Sequence, residues 1–131
     1  MEFPADLYYT KEHEWVRLDA DGEHALIGIT DFAQAELDEL VYVEVESVGE
    51  DLAAEDVFGT VEAVKTTSDL FMPVAGTVVE FNEQLSDGGG DNPGLINEDP
   101  YGEGWIVKVA LADPADLEGL LRADAYKELV D

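Results

Sequence analysis

Lys65 is the side chain whose setting offers the most chemistry. Only four lysines occur, Lys11, Lys65, Lys108 and Lys127, in a chain with six cationic side chains in all. The runs 57–64 and 69–74 on either side both read as strands, so Lys65-Thr66-Thr67-Ser68 is expected at or near a hairpin tip. A tip leaves the amine open to a modifying enzyme while the strands hold its position. Spacing alone favours an ordinary surface lysine.

The other reactive residue types are poorly placed. His13 and His24 lack metal-ligand spacing, and no cysteine is present to complete a zinc set. Ser47, Ser68 and Ser86 do not sit in a Gly-x-Ser-x-Gly elbow, and the glycine run 88–90 lacks the Lys-Ser/Thr ending of a phosphate cradle. With 32 acidic residues, any one carboxylate reads first as a solvated charge. A hydrolase or metal enzyme is therefore poorly supported. Without cysteine, sulfur redox chemistry has to come from an attached group.

The elements that position Lys65 are mostly strands. Residues 14–18 alternate polar and apolar, Asp21-Gly22 signals a tight turn, and 25–29 is apolar, which together predict a hairpin. Thr30 or Asp31 can cap a short helix to Leu37, with Phe32, Ala35 and Leu37 inward. Strands are expected again at 40–45, 76–81 and 105–110, with a loop from Ser86 to Gly94. Asp113-Pro114 opens a C-terminal helical region in which Leu117, Leu120 and Leu121, then Tyr126, Leu129 and Val130, keep helical spacing. The length of 131 residues and an apolar fraction of 46% suit one compact domain over 1–131, a small sandwich or partly open barrel with helices beside it.

A formal net charge of −26 argues against nucleic acid and anionic membranes as partners. The carboxylates are spread along the chain, as expected of a protein suited to high salt, where counterions screen self-repulsion. The N-terminal segment lacks a basic start and apolar run, and no stretch approaches membrane-spanning length, so the expected location is the cytoplasm.

The segment Val61-Glu62-Ala63-Val64-Lys65-Thr66-Thr67-Ser68-Asp69-Leu70, followed by Pro73 and Gly76-Thr77-Val78-Val79-Glu80, closely resembles the lipoylation site of glycine cleavage H proteins. Tyr9-Thr10-Lys11-Glu12-His13-Glu14-Trp15-Val16 and Ile27-Gly28-Ile29-Thr30-Asp31-Phe32-Ala33-Gln34 resemble two further blocks of that family. Pro93-Gly94-Leu95-Ile96-Asn97, Pro100-Tyr101-Gly102 and Gly104-Trp105 complete the series in the family's order.

The resemblance implies a mainly β barrel-sandwich hybrid of the lipoyl/biotinyl kind, with an N-terminal hairpin, a short helix and C-terminal helices. It implies lipoate in amide linkage to Lys65, which turns a cationic amine into a neutral tether. It further implies a non-catalytic shuttle. A glycine decarboxylase (P protein) leaves an aminomethyl group on the lipoyl sulfur, an aminomethyltransferase (T protein) takes the one-carbon unit, and dihydrolipoamide dehydrogenase (L protein) reoxidises the dithiol. A lipoate ligase or transferase attaches the group. In the family a surface cleft shelters the loaded arm, which makes Glu14 the first candidate for holding the aminomethyl cation and Asp69 the second. Asp69 also reads as a turn residue bonded to its own backbone; Trp15 reads as core.

Two features depart from the pattern: the loop Ser86-Asp87-Gly88-Gly89-Gly90-Asp91 is longer than in most relatives, and Glu36 stands where some have a histidine. A biotin carrier would carry methionines where Val64 and Thr66 stand. A lipoyl domain of a 2-oxoacid dehydrogenase would lack the His-Glu-Trp block. A lipoate-relay protein serving a lipoyl transferase shares all these features.

Overall fold

The computed structural model describes residues 2–86 and 88–130, so Asp87 of the long loop lies outside the described residues. Two antiparallel sheets dominate. The larger runs β1-β2-β3-β9-β8-β5, from Tyr8–Tyr9 (β1), Glu14–Leu18 (β2), His24–Ile29 (β3), Val107–Leu111 (β9), Gly76–Phe81 (β8) and Asp51–Leu52 (β5). The smaller, β4-β6-β7, is built from Leu40–Glu44, Val57–Ala63 and Thr67–Phe71. Helix α1 (Asp31–Leu37) joins β3 to β4, α2 (Leu95–Glu98) precedes β9, and a 3₁₀ turn over Pro114–Gly119 leads to α3 (Ala123–Val130).

Local chemistry explains the predicted turns. Gly22 takes φ +73°, and the Asp21 carboxylate accepts from the backbone N–H groups of Glu23 and His24, closing the β2–β3 hairpin. Thr30 caps α1 by accepting from Ala33 N–H, and Asp113 accepts from Ala115 N–H with Pro114 at the first turn.

One core lies between the sheets, with Ile27, Leu40, Phe58, Val61, Leu70, Val78 and Val109 buried in it. A second cluster of Leu7, Tyr9, Trp15, Tyr101 and Tyr126 ties the N-terminal segment to α3, the Tyr9 and Tyr126 rings stacking at 4.8 Å. Trp15 is thus a core residue, fully buried and donating from Nε1 to Pro100 O. Its indole lies across Gly28 on the paired strand, where a Cβ would stand 2.6 Å from the ring. Gly28→Ala should therefore destabilise the chain by roughly 1–3 kcal/mol, through overpacking against a fully buried ring tied to Pro100 O. Urea unfolding of the two proteins measures this, and an unchanged midpoint would mean the ring does shift.

Several expected boundaries differ. Ala35 is exposed, and α1 buries no residue completely, its contact with the core being made by the half-buried Ala33 and Leu37. Leu129 is also exposed. The last strand begins at Val107, not 105, because the carbonyls of Glu103 and Trp105 are taken by the Asn82 side chain. The short strands β1 and β5 and helix α2 give no periodic signal at two to four residues each.

Only two ion pairs, His24–Asp21 and Lys108–Asp19, occur among the described residues, so most carboxylates have no cationic partner. Weakening the screening from about 3 Å at 1 M salt to about 10 Å at 0.1 M should lower the melting temperature by on the order of 5–10 °C. Equal melting temperatures in molar and tenth-molar potassium chloride would contradict the reading of the surface as one suited to high salt.

Candidate functional site

The hairpin carrying Lys65 is tighter than its sequence predicts. Glu62 pairs with Thr67 and Ala63 N–H donates to Thr66 O at 2.7 Å, which leaves Val64 and Lys65 as the two tip residues. Thr67 and Ser68 already belong to β7, and that strand ends at Phe71 rather than Val74. There Met72 N–H turns to Asp56 O, and Pro73 has no N–H to continue a ladder. The Lys65 side chain is exposed, and among the described residues no ion pair or hydrogen bond holds its amine.

Beside the tip lies a depression of about 230 Å³ bordered by Leu37, Asp38, Glu39, Val64 and Lys65. Leu37 also walls an adjoining cleft of about 360 Å³, together with Glu12, His13, Phe32, Glu36 and Ser68. Glu36, which stands where some relatives have a histidine, lines this cleft. His13 sits in the β1–β2 turn at φ +68°, its ring 4.8 Å from that of Phe32. Its Nδ1 lies 2.9 Å from the Tyr126 hydroxyl, which in turn lies 2.7 Å from Thr30 Oγ1. The cap of α1, the cleft wall and α3 are therefore joined in one network. Burial pulls the His13 imidazole below its ordinary pKa, so the ring is neutral near pH 7. Burial pushes the Tyr126 hydroxyl up to about 12, keeping it a neutral hydrogen-bonding group.

Glu12 continues from this cleft into a third depression of about 270 Å³ shared with Thr10, Glu55 and Met72. Glu14, the next residue but one, is 2% exposed. Its Oε2 accepts from Phe71 N–H at 2.7 Å, an edge donor of β7, while its Oε1 is buried without a partner. Burial pushes its pKa up to about 8 against the pull of the Phe71 N–H, and the Glu12 and Glu55 carboxylates add to the rise. Glu14 was read from sequence as an anion; in the unloaded chain it is mostly a neutral acid at pH 7.

Asp69 lies exposed within β7, paired with Thr60. It is not a turn residue, which removes that alternative. Its carboxylate makes no hydrogen bond to a described residue, so the structure does not join it to Glu14. The resemblance placed the His-Glu-Trp block and the lysine hairpin at the cleft, and His13 and Ser68 do line it. Sequence reasoning missed Phe32 and Tyr126, because Phe32 read only as an inward face of α1 and Tyr126 meets His13 and Thr30 only in the folded chain. Among the described residues no group of three His, Asp or Glu side chains is set to hold a metal ion.

A model of the family described as "Glycine cleavage H-protein" matches residues 7–131. The chain belongs to the glycine cleavage H-protein family. A glycine cleavage system H protein of Chlorobium limicola is 55% identical over 130 residues, covering 99% of this chain and 98% of its own. The Bacteroides fragilis protein of the same name is 53% identical over 131 residues, covering 100% and 99%. The crystal structure of a glycine cleavage system H protein from Mycobacterium marinum superposes with a TM-score of 0.81 at 35% identity, covering 96% of this chain and 97% of that one. The fold is accordingly the barrel-sandwich hybrid of that family. The match runs through the N-terminal hairpin and the C-terminal helices and not the lysine hairpin alone, which sets aside the biotin-carrier and 2-oxoacid dehydrogenase readings. Proteins of the glycine cleavage H-protein family carry lipoate covalently on a lysine and act as non-catalytic shuttles.

The residues present fit such a group. Apolar side chains, Leu37 and Val64 beside the Lys65 tip and Phe32 in the adjoining cleft, are met there by the Glu12 and Glu36 carboxylates. That suits a neutral tether ending in a cation.

Proposed function

We propose that residues 1–131 form one lipoyl-carrier domain in which Lys65 bears the lipoyl group in amide linkage, and that it works in the cytoplasm. As a family member the chain is the shuttle of the glycine cleavage system, working with the P, T and L proteins and with a lipoate ligase or transferase. No helix among the described residues is long and apolar enough to cross a membrane. The observation that carries the attachment reading is the isolation of Lys65: it is the exposed, unpaired amine at a two-residue tip, with clefts opening beside it.

Once attached, the dithiolane supplies the thiol–disulfide chemistry that a cysteine-free chain lacks. The chain's own residues bind and shield. Phe32 and Leu37 offer apolar surface to the arm, and the network of His13, Tyr126 and Thr30 fixes that wall. Glu14 holds a proton on Oε1 while the cleft is unloaded, since Oε2 is already accepting from Phe71. A cationic amine brought to Oε1 would favour release of that proton to solvent and donate a charge-assisted hydrogen bond to the resulting carboxylate in a dry site. Asp69, exposed on the outer strand, is proposed as a lesser contributor that meets the amine only nearer solvent.

Reconstitution tests the shuttle reading. The lipoylated chain, mixed with P, T and L proteins, glycine, tetrahydrofolate and NAD, should support glycine-dependent NADH formation. A chain that accepts and surrenders lipoyl groups to a transferase but supports no glycine turnover would instead be a lipoate relay.

A further inference from the structure

Helix α2 holds a side chain whose bonds all lead toward the lysine tip. Asn97 Oδ1 accepts from Leu40 N–H at 3.0 Å, and its Nδ2 donates to Gln34 Oε1 at 2.9 Å and to Asp38 O at 2.8 Å. The three partners lie on α1, on its C-terminal cap and on the first residue of β4. An amide is the side chain that supplies an acceptor and two donors at one point.

The residue so held is strained. Asp38 caps α1 at φ +67°, ψ −150°, a region that glycine occupies readily and a residue with a Cβ does not. Its N–H donates to Gln34 O, which alone would not fix ψ. The next residue, Glu39, presents its carbonyl to Val64 N–H at 3.2 Å, extending the β4–β6 ladder by one bond to the residue before Lys65. Asn97 thus grips both peptides that flank Glu39, through Asp38 O and Leu40 N–H, and the Glu39 carbonyl grips the tip.

We propose that Asn97 is a positioning residue for the attachment site: by clamping the strained Asp38 backbone, it sets the Glu39 carbonyl that anchors the Val64–Lys65 tip for the acylating enzyme. This rests on the reading of Lys65 as the lipoyl-bearing lysine. Asn97 bonds neither the amine nor any residue of the tip, and it meets the depression beside the tip only through Asp38, which lines it. It acts through Asp38, Glu39 and Val64 in turn. The clamp also explains why an L-residue persists at position 38: the three amide bonds oppose its relaxation.

The test uses the full-length chain and three variants, Asn97→Asp, Asn97→Ala and the double change Asn97→Asp with Asp38→Gly. Asn97→Asp keeps the shape and the acceptor for Leu40 N–H but loses both donors, so it leaves no cavity to unfold the chain. Amide hydrogen exchange, read residue by residue by NMR, should show Val64 exchanging several-fold to about tenfold faster in Asn97→Asp, the equivalent of one net hydrogen bond. The core amides of β2, β3 and β9 should keep their wild-type rates. The kcat/KM of a lipoate ligase for the chain should fall by about three- to tenfold, while acetylation of Lys65 by a small amine-reactive ester stays unchanged. Glycine at position 38 should restore both the Val64 exchange rate and the ligase rate, because it adopts the same backbone without needing the clamp.

Unchanged Val64 exchange in both single variants would overturn the proposal, as would faster exchange with an unaltered ligase rate. Val64 and the core strands loosening together would also overturn it, since Asn97 would then be merely structural. A lipoyl group found on another lysine would overturn the attachment reading instead, and Val64 exchange would still decide the clamp.

Discussion

A Lys65→Arg chain should support no glycine turnover at all in the reconstituted system, and should contain no lipoyl group after treatment with ligase, ATP and lipoate. Arginine keeps the positive charge and the length of the side chain, but its delocalised guanidinium stays protonated and does not form the amide. The fold should be untouched, because Lys65 is exposed and makes no ion pair, and such surface changes usually stay within about 0.5 kcal/mol. The expected result is an intact protein with a wild-type melting temperature and no carrier function. Residual lipoylation of Lys65→Arg would place the attachment on Lys11, Lys108 or Lys127.

The second large effect concerns Glu14 and pH. Its folded-state pKa of about 8 lies above the ordinary carboxylate value of 4.5, so between those pH values the folded chain binds a proton that the unfolded chain has lost. Stability from this group is fully present below about pH 4.5 and is lost progressively as pH rises toward 8. At about 1.4 kcal/mol per pH unit, the loss amounts to a few kcal/mol. Glutamine does not titrate, and its amide oxygen can still accept from Phe71 N–H. The stability difference between Glu14→Gln and wild type should therefore move in favour of glutamine by a few kcal/mol from pH 5 to pH 9, in urea titrations at fixed high salt. Parallel pH curves would show that Glu14 titrates as an ordinary surface acid. On the loaded arm the same change should act oppositely. Losing a charge-assisted bond worth about 1.5–3 kcal/mol should speed loss of the amine cargo, in the absence of the other enzymes, by on the order of ten- to a hundredfold.

The contrast between Lys65 and Glu14 shows what sequence conveys about such a site. Lys65 was legible because strand periodicity on both sides, scarcity of cations and the surrounding block all pointed to one exposed tip. The caps at Thr30 and Asp113, the Asp21-Gly22 turn and the buried Trp15 were legible for similar reasons, since each depends on neighbours within a few residues. Glu14 could be named from the block it sits in, but its protonation state depends on Phe71 and Glu55, which lie far along the chain. The Tyr126–His13 bond spans 113 positions, and no local pattern announces it. Asn97 is likewise silent in sequence: its partners at 34, 38 and 40 belong to elements that meet it only in the folded chain. The tip was misjudged by two residues because Thr67 and Ser68 look like turn formers, yet they pair with Glu62 and Val61 once the ladder forms.

The claim on which all of this rests is that Lys65 carries the lipoyl group, and peptide mapping by mass spectrometry of protein purified from its native cells tests it most directly. A single lipoyl adduct on the peptide containing Lys65, with Lys11, Lys108 and Lys127 unmodified, is the predicted result; an adduct on any of those three, with Lys65 free, would contradict it.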